Sequence, residues 1–165
     1  MKYNSVPEYF YKFHARLYAL VLIPLLTFVV LYWKMKSGES LGIWQDTTLS
    51  YLLLIVFMIV VLIEWIVSFF IFRTSLKSIL TLGSLGERLD HYYRFTIIRF
   101  CFLISGLVLL AIGFFLTQDQ YFTILYVGSM VGMGLLWPTS AKVCDDLNLK
   151  GEERRLILYK LDKLS

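Results

Sequence analysis

An all-α, polytopic membrane protein of four transmembrane helices, arranged as two tandem hairpins, is the fold class this sequence predicts. Three observations lead there. First, four long apolar runs, residues 17–33, 49–72, 100–116 and 120–141, hold a single acidic or basic side chain, Glu64. A hydrocarbon core about 30 Å thick takes roughly 20 helical residues to cross, with tolerance from about 17, and all four runs pass. Second, Lys and Arg are shared unevenly between alternate connections, which is the signal that orients membrane proteins. Third, the second half of the chain echoes the first.

Taken in order, the chain begins polar and tyrosine-rich, with Tyr9, Tyr11, Lys12 and Arg16 ahead of the first span at 17–33. That span contains Pro24, which lacks an N–H and so frees the carbonyl of Leu20. It ends at Tyr32-Trp33-Lys34 without a small-residue cleavage pattern, so it is expected to persist in the mature protein. A loop with Lys34 and Lys36, balanced by Glu39 and Asp46, leads to span two at 49–72. The connector that follows places Leu76, Ile79, Leu80 and Leu82 at roughly helical spacing beside Lys77 and Ser78, which predicts an amphipathic helix. Span three, 97–116, has Arg99 at its foot, expected to snorkel to the headgroups. A turn without Lys or Arg leads to span four at 120–141, where Gly128, Gly132 and Gly134 suit close helix approach. In the tail, Ile157, Leu158, Leu161 and Leu164 share a face flanked by Arg154, Arg155, Lys160 and Lys163. Such a helix lies in the headgroup plane, packs on a partner, or folds back as a cap. Tyr and Trp near the span ends, Trp44 and Trp137 among them, suit interfacial anchoring.

With four spans, the N-terminus, second connector and tail share one side. That side carries thirteen of the sixteen basic residues, from Lys2 to Lys163. Both termini are therefore expected in the cytoplasm, in a plasma or inner membrane. The net charge of +4 is thus a topology signal and does not point to nucleic acid. At 165 residues and 58% hydrophobic, the chain reads as one membrane domain over 1–165, since its polar pieces are too short for a core of their own. Cys101 and Cys144 fall on or near the reducing side, where a structural disulfide is not expected.

The echo takes the form of motifs. Phe72-Arg73-Thr74-Ser75-Leu76-Lys77 overlays Trp137-Pro138-Thr139-Ser140-Ala141-Lys142, and Leu82, Gly86 and Glu87 then fall on Leu147, Gly151 and Glu152. Tyr11-Lys12-Phe13 overlays Tyr93-Arg94-Phe95. Both expected units, 9–90 and 91–165, start on the same side, so the repeat is parallel, about an axis along the membrane normal.

Glu64 is the residue at which chemistry could reside. It sits roughly 5 Å from the midplane of span two by helical rise, where an ionised carboxylate is costly and such groups face the bundle interior. Ser129, equivalent to Glu64 in the repeat, and Ser105 lie at similar depth. Glu64, Ser129 and Ser105 are the candidates for binding or proton exchange. The competing reading is a neutral carboxyl that bonds to a serine or to the Leu20 carbonyl and clasps two helices. His14 and His91 lack companions at metal-ligand spacing, and no phosphate loop, nucleophile elbow or dinucleotide fingerprint occurs, so no metal, cofactor or catalytic residue is expected. Three function classes remain. The first is a non-enzymatic accessory or assembly subunit that binds a protein partner, or a second copy, through cytoplasmic helices. The second is a small transporter or oligomeric pore using Glu64. The third is a membrane enzyme on a lipid or quinone, for which Asp90, His91, Asp145 and Asp146 are the candidates.

Overall fold

A computed structural model describes residues 5–38 and 47–161. Lys2, Glu39, Trp44, Asp46, Lys163 and Leu164, named above, lie outside the described residues. The described chain is all-helical: α1 (Val6–Lys36), α2 (Thr47–Ile79), α3 (Leu85–Thr117), α4 (Gln120–Leu135), α5 (Ser140–Asp146) and α6 (Gly151–Leu158). Three of these are long and apolar enough to cross a membrane, or four if α4 and α5 are counted as one bent span.

Helix starts follow short polar signals. Ser5 and Ser84 each accept the backbone N–H of a glutamate three residues on, Glu8 and Glu87, which also places a negative charge at the positive end of α1 and α3. Asp119 caps α4 by accepting from the Tyr121 N–H at 3.0 Å. The ends of the first three helices depart from the expected span limits. Each runs 31 to 33 residues, about 46–50 Å by helical rise, well beyond a core of about 30 Å. The excess lies at the basic end. The segment after span two is accordingly the last turns of α2, followed by a turn at 80–84, and Ile79 is buried there.

The fourth run is not a continuous helix. α4 has 16 residues, about 24 Å, and α5 continues at 71° to it. Pro138 lies in the break: it has no N–H to continue the ladder, and its ring clashes with the carbonyl four residues back. The last turn of α4 tightens instead, with the Leu136 and Trp137 N–H groups reaching Met133 and Gly134 carbonyls. Lys142 Nζ donates to the orphaned Leu135 carbonyl at 3.1 Å, and Thr139 caps α5.

α3 is the centre of the bundle. Of its most apolar stretch 44% is buried, against 17% for α1 and 11% for α2, and α1, α2 and α4 each lie along it. α1 and α2 share little direct contact, since both pack on α3. Lipid tails are as apolar as leucine, so close approach at small residues holds such helices together. The Glu64 carboxyl lies on Gly106, the Phe122 ring on Gly113 and the Trp65 ring on Gly132, each where a Cβ would collide. α1 meets α4 through the stacked Phe28 and Tyr126 rings, 3.8 Å apart.

At the basic end of the bundle the first turns of α1 and α3, the end of α2, and α5 with α6 bury Phe10, Phe13, Ile79, Leu89, Val143 and Ile157 in a cap, the kind of cluster the hydrophobic effect builds. The tail helix presents only part of its expected face to that core: Ile157 is buried, whereas Leu158 and Leu161 are exposed.

Candidate functional site

Two polar sites sit on α3, one at mid-bundle and one at the foot of the cap. At mid-bundle, Ser105 Oγ lies 2.9 Å from Glu64 Oε1 and 2.7 Å from the Phe102 carbonyl. A hydroxyl has one hydrogen to give, and a carbonyl can only accept. Both contacts are satisfied in full when the carboxyl is neutral: Glu64 donates to Ser105, and Ser105 donates to Phe102. The other carboxyl oxygen, Oε2, is buried without a partner and faces Gly106. Among the described residues, no cation pairs with it. The unit so formed is a hydrogen-bonded clasp between α2 and α3.

The structure brings Glu64 and Ser105 together and leaves Ser129 apart. Ser129 lines a groove of about 360 Å³ between α2 and α4, with Met58, Leu62 and Trp65. Pro24 lines a different seam, against Val108 and Ala111 of α3, so the Leu20 carbonyl it frees is not a partner for Glu64. Among the three span-four glycines, Gly132 receives Trp65, while Gly128 and Gly134 have open space where a side chain would be.

Arg99 departs from expectation. Its side chain leans toward the basic end, as its helix polarity dictates, but Asp146 and Lys142 of α5 lie near it and only 6% of the residue is exposed. It does not snorkel to the headgroups. The guanidinium lies 4.5 Å from the centroid of the Phe72 ring, a cation–π contact that strengthens when water is excluded. Its Nε has no partner, and its backbone carbonyl accepts from Ser68 Oγ at 3.4 Å.

Above it, Tyr92 Oη donates to Asp146 Oδ2 at 2.8 Å, joining α3 to α5. Burial, then the charge and hydrogen bond of Asp146, push the Tyr92 phenol well above its usual range. Lys142 is the third charge of the group. Burial and the nearby Arg99 pull its ammonium down, opposed by Asp146. The carboxylate of Asp146 therefore stands among two cations and a phenol, and compensates charge that would otherwise be buried alone.

His14, from α1, completes the junction. Its Nε2 donates to the Pro138 carbonyl at 3.0 Å, and its ring stacks on Phe13 and Trp137. The carbonyl can only accept, which places the proton on Nε2. The bend between α4 and α5 is thus held from two other helices, α1 and α3.

Reactive chemistry finds little purchase here. Cys144 is buried, and burial pushes its thiol up, away from the nucleophilic thiolate. Asp145 turns outward to pair with Arg154 at 3.2 Å, and His91 stacks on Phe95. Among the described residues no three His, Cys, Asp or Glu side chains converge as a metal site would require. Sequence reasoning missed the Tyr92–Asp146–Arg99 group because its members lie up to 54 residues apart. The available signal was Asp145-Asp146, an acidic pair three residues after Lys142 at the foot of the fourth apolar run.

No protein-family model, curated protein or solved structure matches the chain.

Proposed function

We propose that this chain is a non-enzymatic integral membrane protein, an accessory or assembly subunit that engages a protein partner through its cap. The observation that carries this reading is the cap surface. Tyr11 is 77% and Tyr159 69% exposed, with Leu158 and Leu161 also exposed, outside the apolar runs that we read as the spans. Arg154, Arg155 and Lys160 lie among the tail residues of this set. Apolar side chains uncovered by lipid favour a protein contact, and basic neighbours favour an acidic one. This role needs no catalytic group: Glu64, His14 and Asp146 are each engaged in contacts between helices.

On the charge bias, we place both termini and the cap in the cytoplasm, in a plasma or inner membrane, with α4–α5 counted as the fourth span. We also retain the parallel duplication of 9–90 and 91–165 as a proposal. The matching motifs support it, and superposition of the two halves in an experimental structure tests it.

A second reading has one observation in its favour. The unpartnered Oε2 of Glu64 suits a proton- or cation-exchanging acid. Among the described residues, Glu64 does not line the groove that holds Ser129 or the two on the α1–α3 seam, so that role would require other copies or an opened state.

Gentle extraction of the tagged protein from its native membrane, followed by native mass spectrometry, separates the readings. A hetero-complex of fixed stoichiometry is expected, and Tyr159→Glu with Leu161→Glu should release the partner. A homo-oligomer or lone monomer would overturn the accessory reading and turn attention to Glu64.

A further inference from the structure

We propose that the seam between α1 and α3 binds one anionic phospholipid, with the phosphate held by Arg16 and Arg94 and an acyl chain lying in the trough below. The seam opens as a groove of about 510 Å³ with Arg16, Tyr93 and Arg94 at its basic end and Leu20, Ile23 and Ile97 beneath them. Ile23 also begins a second groove of about 240 Å³ on the same seam, continuing along Pro24 and Thr27 to Leu31. From Arg16 to Thr27 is about 16 Å by helical rise, close to the depth of one leaflet, half of about 30 Å.

The headgroup end has the right chemistry. Arg16 Nη1 donates to Tyr93 Oη, and the guanidinium lies 5.6 Å from the Tyr93 ring centroid, so the fork is held on the groove wall. A guanidinium carries five N–H donors, which leaves most of them for a phosphate. Arg94 is exposed and has no hydrogen bond or ion pair among the described residues. No Asp or Glu lines either groove. A basic recess at the foot of an apolar trough selects a lipid with net negative charge over one whose own cation the arginines repel. This site shares no residue with the Glu64 clasp or with the cap surface proposed for a partner.

The test uses the full chain in vesicles of equal parts phosphatidylglycerol and phosphatidylcholine, re-extracted and weighed by native mass spectrometry. One phosphatidylglycerol should be retained with a preference of about twenty-five-fold, each near-surface guanidinium supplying about fivefold. Arg16→Gln with Arg94→Gln should abolish the preference. Arg73→Gln, on α2 where the guanidinium lies over Phe69, should leave it intact. Ile23→Trp keeps both arginines but fills the trough, and should reduce retention of either lipid. Should the double variant fail to fold, Ile23→Trp decides: undiminished retention overturns the groove. Equal retention of the two lipids, a preference that survives loss of both arginines, or displacement of the lipid by excess inorganic phosphate also overturns the proposal.

Discussion

Glu64 shows how much one residue's role depends on its neighbours' hydrogen count. As an acid in hydrocarbon it invites a transport reading; with Ser105 Oγ 2.9 Å from its Oε1 and 2.7 Å from the Phe102 carbonyl, a neutral Glu64 would donate to the serine and clasp α2 to α3. Glu64→Gln can donate through its amide, so thermal unfolding in detergent should shift little. Glu64→Leu leaves Ser105 without that donor and should cost about 1 kcal/mol, the usual worth of such a bond between membrane helices. Unfolding of the Gln variant would contradict the neutral clasp. Gly106→Ala places a methyl 2.8 Å from Oε2 and should destabilise by about 1–3 kcal/mol through overpacking. In a Glu64→Ala background that cost should largely vanish, because the colliding atom is gone. Tyr92 offers a pH test. Its folded phenol holds its proton above the usual range, because burial and Asp146 both oppose the phenolate. Above about pH 10, the ordinary tyrosine value, the unfolded chain releases that proton while the folded one keeps it. Stability is then lost as pH rises. Melting temperature should therefore fall from about pH 10 upward, and less steeply in Tyr92→Phe. That variant should start about 1.5–3 kcal/mol less stable at neutral pH, having lost a hydrogen bond to a charged group. Parallel alkaline limbs would remove Tyr92 from this role.

At the scale of elements, the two copies of Thr-Ser-x-Lys are instructive. Thr74-Ser75-Leu76-Lys77 lies inside the unbroken α2, whereas Thr139-Ser140-Ala141-Lys142 caps and starts α5. The letters agree and the local structures do not, because Arg73 precedes one copy and Pro138 the other. The break was legible in the proline itself, but aligning the motifs made the fourth run read as continuous. Its direction was not legible, since that depends on His14 from α1 and on Tyr92 from α3. Pro138→Ala restores an N–H and should let α4 straighten, pulling α5 from α3 and uncovering Cys144. In a Cys101→Ala background, a water-soluble maleimide should then label Cys144 about tenfold faster or more, the weight of a charge-assisted bond worth about 1.5–3 kcal/mol. Unchanged labelling would show that the Tyr92–Asp146 bond sets the bend without the proline.

On the scale of the whole molecule, burial is distributed by solvent. Along the apolar lengths of α1 and α2 most side chains face outward, Ile59, Leu62, Ile63, Ile66 and Phe70 on α2 among them. At the basic end, where water returns, aromatic and aliphatic residues close into the cap. Deleting the tail from residue 151 onward removes Ile157 from that core. The three long helices should remain in the membrane, with a melting temperature lowered by several degrees, since one buried aliphatic side chain contributes about 1.5–3 kcal/mol. Failure of the truncated chain to insert would mean that the cap organises the bundle.

The sequence by itself determined the helical class, the apolar lengths and the single intramembrane acid, because hydropathy and charge are local quantities that each residue carries with it. It also marked Ser105 as lying at the depth of Glu64, because depth along a straight helix is a matter of counting. Tertiary structure alone decided that α3 is central, that Ser129 stands away from Glu64, and that Arg99 is buried near Asp146 and Lys142 of α5. Those outcomes depend on which faces meet. In a lipid solvent that barely distinguishes one apolar face from another, the choice falls to small residues and paired polar groups distant in the chain.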